Sequence, residues 1–383
     1  MPVRAVMPGA ADSPAVPLRV RPTAWMVRAD RIVDPLPMSV AVLDRGEIVY
    51  AHGGDVPRTP ASNEKLLLSM ALLARFGAAY RVPTTAEGPL PVRGSLRGDL
   101  WLVGHGDPEV DGSALRKLAL AVRSAGIRDV RGSVVGVTST FTRERWARGW
   151  ERIALHYIGL PTALTYDANE GPGGFVFDPE RRAAAAFTAD LRALGIRVAG
   201  EARAGPAPPR RRVLAAIRSA PLADILRRQN QSSLNLDAEV LDKMLGGSVY
   251  GPPGSIAKGA RAIASWVRAR GVPAVVRDGS GLSYGNRITA DGMVRLLSAM
   301  RSGPLRSTLP APGQGPLAGR MAGITVRAKT GTLIKRVSAL SGWVWLPSPA
   351  RWAAFSVLSR GLSKAAAVSV EDRIVRLVAT EAR

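Results

Sequence analysis

Strand-like segments gather at the two ends of this 383-residue chain, and helix-like segments dominate between them. Near the start, Ser39-Val-Ala-Val-Leu-Asp44 and Glu47-Ile-Val-Tyr-Ala51 flank Arg45-Gly46, the pattern of a β-hairpin. Near the end, Ile324–Leu333, Ser338–Leu346 and Arg351–Ser359 read as three strands, followed by an amphipathic helix over Val370–Thr380. A sheet drawing on both chain ends implies a discontinuous α+β domain, with the intervening chain forming its helical layers or an insertion. Residues 83–215 have the texture of an insertion: short strands (Asp99–Val103, Gly132–Val137), many glycines, and helices near Ser113–Gly126 and Arg181–Gly195. The proline-rich stretch Pro206–Arg212 reads as the return linker. The expected division is therefore 36–82 with 216–383, an inserted domain over 83–215, and a disordered N-terminal arm over 1–35. No internal repeat is present.

Composition narrows the chemistry. With no cysteine, disulfides, thiolate metal sites and a cysteine nucleophile are excluded. With only His52, His105 and His156 available, metal chemistry and a histidine-based triad are disfavoured. No run of 18 apolar residues suggests a membrane span, and Met1–Thr23 carries no readable secretory signal. The formal net charge of +23 suits a polyanionic neighbour, or is an arginine bias spread over a solvated surface. Of the 53 basic residues only seven are lysines, so each lysine invites a question.

Three short motifs occur in order: Ser62-Asn-Glu-Lys65, Ser233-Leu-Asn235 and Lys329-Thr-Gly-Thr332. The first opens a segment, Ala61 to Gly77, that is apolar almost all round after its first turn and reads as a buried helix. At i and i+3, Ser62 and Lys65 share one face within hydrogen-bond reach. A buried lysine beside another cation can lose its proton and act as a base, which an arginine cannot. The bland alternative makes Ser62 a helix cap and leaves Lys65 in solvent. A second Ser-x-x-Lys, Ser255-Ile-Ala-Lys258, follows Gly-Pro-Pro-Gly and is better read as a helix N-cap. Asp278-Gly-Ser-Gly-Leu-Ser, and His105 with Asp107, read as turns. The tryptophans read as packing residues, with Trp146 and Trp150 as candidates for a glycan contact.

The ordered motifs resemble those of the penicillin-recognising serine enzymes. Their flanks resemble the D-alanyl-D-alanine carboxypeptidase and endopeptidase family, the class C low-molecular-mass penicillin-binding proteins. The matching stretches are Thr59-Pro-Ala-Ser-Asn-Glu-Lys-Leu-Leu, Gly98-Asp-Leu-Trp-Leu-Val-Gly-His-Gly-Asp-Pro, Ser233-Leu-Asn-Leu-Asp-Ala-Glu, Asp278-Gly-Ser-Gly-Leu-Ser, and Ala328-Lys-Thr-Gly-Thr-Leu with Ser338-Ala-Leu-Ser-Gly-Trp. The resemblance implies a penicillin-binding, β-lactamase-like domain: a five-stranded antiparallel sheet packed with helices and interrupted by a smaller inserted α/β domain. It implies Ser62 as nucleophile, Lys65 as its base, Ser233 as proton relay and Asn235 as holder of the substrate amide. Lys329 would face the substrate carboxylate, with Thr330, Gly331 and Thr332 in the substrate-binding strand and the Ser62 and Thr332 N–H groups as oxyanion hole. It further implies peptidoglycan stem peptides as substrates, β-lactams as inhibitors, no cofactor and an extracytoplasmic location. No nucleic-acid partner is expected, and an anionic cell-wall polymer is the second partner the charge would suit. Two rivals stand beside this reading: a scaffold that binds such a polymer without turnover, and a serine β-lactamase, which nothing here equips with a dedicated deacylating glutamate.

Three departures from the family pattern stand out. The interval from Ser62 to Ser233 is short, as if a β-rich subdomain were missing after Asn169. Leu234 replaces an aspartate common in the second motif, leaving its two reacting side chains in place. Val137 stands where an aspartate that can contact the stem peptide is expected.

Overall fold

The computed structural model describes residues 23–382. Helix α1 (Ala24–Val33) leads into the hairpin β1 (Met38–Asp44) and β2 (Glu47–His52), with Arg45 and Gly46 both at positive φ in the tight turn. A 3₁₀ turn, Ala61–Asn63, then runs into α2 (Glu64–Phe76), which stops at Gly77. The next stretch contributes β3 (Pro83–Gly88), β4 (Leu100–Gly104), α3 (Gly112–Ser124), β5 (Val134–Val137), α4 (Pro179–Ala193), β6 (Arg203–Gly205) and β7 (Arg212–Arg218). Helices α5 (Leu222–Ser232), α6 (Asn235–Tyr250), α7 (Ile256–Arg268) and α8 (Ala290–Ala299) follow. The chain closes with β8 (Val326–Leu333), β9 (Val337–Pro347), β10 (Ala350–Arg360) and α9 (Lys364–Glu381).

The sheet that joins both chain ends has the order β8-β9-β10-β1-β2 and is antiparallel throughout. Helices cover both of its faces, which explains why its strands are apolar in unbroken runs rather than alternating. Alternate residues of β1 divide between two cores. Val40 and Val42 pack with α1 and α9, while Ala41 and Leu43 pack with the layer that includes α2, α6, α7 and α8. Burying Ile374, Val375 and Val378 of α9 is worth about 1.5–3 kcal/mol each.

A second five-stranded sheet, β6-β5-β4-β3-β7, is mixed and carries α3 and α4 over its own apolar cluster. Two expectations change here. The arm expected to be disordered over 1–35 lies outside the described residues up to position 22. From Ala24 it is a helix, because Trp25, Ala29 and Val33 fall on one face and pack against α9. Pro206–Arg212 does not return the chain to the first sheet: it joins β6 to β7, both in the second, and the return comes after Arg218.

Candidate active site

Proximity here is built by backbone close approach. The turn at Ala61–Asn63 sits against β8, and a Cβ at Gly331 would stand 2.7 Å from the Pro60 carbonyl and 3.1 Å from the Cβ atoms of Ala61 and Ala339. Only a glycine lets the strand lie this close. The Asn63 amide ties the two elements, its nitrogen donating to the Lys329 carbonyl (2.7 Å) and its oxygen accepting from Ser341 Oγ (2.8 Å). On the other side Gly281, at φ +83°, passes against the Ala61 carbonyl with no room for a side chain.

Lys65 is fully buried at the second position of α2. Its Nζ lies 3.2 Å from Ser62 Oγ, 2.8 Å from Asn235 Oδ1 and 2.6 Å from the Ser280 carbonyl oxygen. A neutral amine has two hydrogens and one lone pair. The two carbonyl-type oxygens can only accept, so in the neutral form the hydrogens go to them and the lone pair faces the Ser62 hydroxyl. Burial lowers the Lys65 pKa to about 8, against the opposing pull of Asp278, Glu239, Asp237 and Glu64.

Lys329 is also fully buried. Its Nζ donates to Ser233 Oγ (2.9 Å) and to the Thr330 carbonyl (3.0 Å). Burial, then the nearby charges of Lys65 and Lys364, push its pKa well below the ordinary lysine value. Ser233 adopts the left-handed conformation (φ 57°) at the break between α5 and α6, and Asn235 begins α6 with its Nδ2 donating to the Tyr157 carbonyl at 3.1 Å. Leu234 between them is exposed, so replacing the aspartate leaves both neighbouring side chains aimed inward.

Ser62, Ser233, Asn235 and Thr332 meet at one cleft of about 290 Å³, walled by Tyr157 and Tyr284. The structure thus brings residues of all three motifs together. Thr330 and Gly331 do not line the cleft: Thr330 is nearly buried and Gly331 serves the close approach. Ser255 caps α7 by accepting from Lys258 N (3.2 Å), away from the cleft.

Several participants were not foreseen from the sequence. Lys364, at the start of α9, donates to Thr332 Oγ1 (2.7 Å) and Ser338 Oγ (3.1 Å). Because an ammonium only donates, Thr332 must accept, and its hydroxyl proton stays free for another acceptor. Glu371 supports this arrangement by accepting from Ser338 Oγ (2.6 Å) and Arg320 (2.9 Å). The scarcity of lysine was the signal that could have drawn attention to Lys364. The turn Asp278–Ser283 is structural, as expected, yet it supplies the Ser280 carbonyl to Lys65. Asp278 braces that turn by accepting from Trp150 Nε1 (2.6 Å), Ser283 N (2.8 Å) and Asn286 Nδ2 (2.6 Å). Behind it Glu64, Glu239 and Asp242 are buried, and desolvation followed by mutual repulsion raises the pKa of Glu64 and Asp242 well above the carboxylate range.

Residues 33–173 and 173–381 match the D-Ala-D-Ala carboxypeptidase 3 (S13) family. The chain belongs to that family. The D-alanyl-D-alanine carboxypeptidase of Actinomadura sp. (strain R39) is 30% identical, with 88% of this chain and 80% of the relative covered. That alignment runs over 437 positions, more than this chain has, so the relative carries segments that this family member lacks. Penicillin binding protein 4 from Haemophilus influenzae superposes with a TM-score of 0.79 at 21% identity, covering 92% of this chain and 100% of that one. The same protein in complex with a β-lactam gives 0.74 at 21% identity, over 92% and 99%. Family membership makes this chain a serine-type D-Ala-D-Ala carboxypeptidase, on an α+β penicillin-binding fold.

Proposed function

We propose that this carboxypeptidase works through an acyl-serine intermediate on Ser62, on the D-Ala-D-Ala bond of peptidoglycan stem peptides outside the cytoplasmic membrane, and that β-lactams trap the intermediate. The observation that carries the proposal is the bonding of Lys65: two fixed acceptors for its hydrogens, and Ser62 Oγ at 3.2 Å in the remaining direction.

Ser62 Oγ attacks the scissile carbonyl carbon while its proton passes to the neutral Lys65 amine. The oxygen charge that develops lies at the N-terminal turn before α2 and beside the edge strand β8, where the Ser62 and Thr332 N–H groups serve as oxyanion hole. Collapse breaks the C–N bond as the Ser233 hydroxyl hands its proton to the departing D-alanine amine and takes one in turn from protonated Lys65, which restores Ser233 and leaves Lys65 neutral; Lys329 donates to Ser233 Oγ and leaves the Ser233 proton available. Asn235 holds the substrate amide. Lys329, with the Thr332 hydroxyl freed by Lys364, receives the terminal carboxylate. Water then attacks the ester, with Lys65 again as base, and Ser62 is restored. A β-lactam offers the same amide and carboxylate, but its leaving amine stays tethered to the acyl group.

The test is incubation with a labelled penicillin, intact mass, then peptide mapping. One adduct on Ser62 is expected. An adduct on Ser255, or none on a folded sample, would sink the assignment.

A further inference from the structure

A second cleft, of about 750 Å³, is lined by the same segment that walls the first: Glu144, Trp146, Ala147 and Arg148 border the second, while Glu151 and Tyr157 border the active-site cleft. Four arginines surround it, Arg148, Arg261, Arg268 and Arg277, and among the described residues none of them pairs with a carboxylate. The one carboxylate in the lining, Glu144, is already engaged: it accepts from Ile256 N (2.8 Å) and lies 3.7 Å from the buried Lys243. Trp146 stands at this cleft with 45% of its surface exposed, although its neighbours Ala147 and Trp150 are buried. An exposed indole face beside unpaired guanidinium groups suits a ligand with an apolar C–H face and anionic substituents.

A contrasting basic hollow lies at Arg93, Arg97, Arg128, Arg131 and Arg197. There Asp129 sits 3.3 Å from Arg131 and 3.5 Å from Arg197, and no aromatic side chain lines the site. The Trp146 cleft differs in having both unspent positive charge and an aromatic surface. It is also tied to the reaction centre. The Arg148 carbonyl accepts from Ser283 Oγ (2.6 Å), the Gly149 carbonyl accepts from Tyr284 N (2.9 Å), and Tyr284 walls the active-site cleft.

We propose that this cleft binds an anionic glycan, a chain of sugar or polyol units bearing phosphodiester or carboxylate groups, and holds the enzyme on that polymer beside the cleft that takes the peptide. The inference goes beyond the peptidase reading and does not depend on it. It is tested by calorimetric titration of the full chain with a short poly(glycerol phosphate), an oligogalacturonate and neutral dextran. At least one anionic probe should bind and dextran should not; which probe binds identifies the anion. Because each guanidinium supplies a charge-assisted contact to the anion, Arg261→Gln with Arg268→Gln should weaken binding at least about tenfold. Trp146→Ala should weaken it too, with thermal unfolding unchanged. The control pair Arg93→Gln with Arg97→Gln should change affinity by no more than about twofold, as for distant surface charges. Binding of neither anionic probe, or an equal loss in the control pair, would overturn the proposal. Penicillin acylation measured on the same samples reports separately on the peptidase reading.

Discussion

Replacing Lys65 with arginine keeps the positive charge and removes the base. The Lys65 pKa of about 8 leaves about a tenth of the amine neutral at pH 7, whereas an arginine stays protonated and offers almost no neutral base. What is lost is the contribution of a positioned general base, about 10²–10⁴ in rate. The expected cost in acylation rate is thus roughly 10²–10⁴, about 2.7–5.5 kcal/mol of barrier. The guanidinium also enters a site with no exposed surface, where overpacking costs about 1–3 kcal/mol, so a second variant is needed. Lys65→Met is close in volume and removes the buried amine. It leaves the Ser280 carbonyl and Asn235 Oδ1 each short of a donor, at about 1–3 kcal/mol apiece, and partly recovers this by removing an ammonium that burial disfavours. Fluorescent-penicillin acylation, followed in time at pH 7 and pH 9 beside thermal unfolding, separates the effects. Both variants should fold and both should acylate at least about 100-fold more slowly. A folded arginine variant within about threefold of the parent would refute the reasoning, since no base at that position could then matter.

Other consequences follow from the same geometry. In the parent, kcat/KM should rise about tenfold per pH unit below pH 8 and level off above it, because the active form is the deprotonated amine and burial brings its plateau down from the ordinary lysine range; a flat profile from pH 6 to 9 would contradict this. Lys364→Met should lower kcat/KM for a D-Ala-D-Ala peptide about tenfold through the loss of one charge-assisted bond, with unfolding little changed; full activity would show that Thr332 orients its proton unaided. Gly331→Ala should destabilise the fold by about 1–3 kcal/mol, because the new Cβ meets the Pro60 carbonyl at 2.7 Å, and should slow acylation beyond what its lower melting point explains. Stem peptides with a free amine on their third residue should be cleaved no better than acetylated ones: Val137 is buried, and Glu151, at the active-site cleft, is already paired with Lys335. A tenfold preference for the free amine, worth about 1.4 kcal/mol, would point to another carboxylate.

What could be read from the sequence was local or sharply patterned. The hairpin at Arg45-Gly46, the three closing strands and the helix behind Ser62 announce themselves through period, turn chemistry and stop signals, and the structure has all of them. Helix α1 was passed over although Trp25, Ala29 and Val33 recur at a helical interval, because the proline-rich residues before it suggested a loose arm. Pro206–Arg212 has the same local signature whether it links two domains or two edge strands of one sheet; only long-range strand pairing distinguishes them.

For the candidate site, the motifs located the side chains that meet at the cleft, while their chemical state depends on groups that no motif contains. Lys65 owes its two fixed acceptors to a carbonyl 215 residues away and an amide 170 residues away, and its lowered pKa to a burial balanced against Asp278, Glu239, Asp237 and Glu64. Lysine usage carries a trace of this. In a chain that otherwise chooses arginine, Lys65, Lys243 and Lys329 are the fully buried cations among the described residues, each bonded to oxygen acceptors at 2.6–3.2 Å. An ammonium is a compact donor that burial can discharge, and a guanidinium is neither compact nor readily deprotonated. The arginine-rich composition therefore makes each lysine an informative position: Lys243 stitches the Thr142, Glu144 and Pro161 carbonyls behind the wall between the two clefts, while Lys65 bonds to Ser62 and Lys329 to Ser233 at the reaction centre. Burial and then the Lys65 charge lower the Lys329 pKa, and a substrate carboxylate arriving beside these amines would favour the protonated form of each. A carboxylate analogue should accordingly move the midpoint of the Lys65-dependent acylation profile upward in pH, whereas a neutral amide of the same shape should leave it where it is.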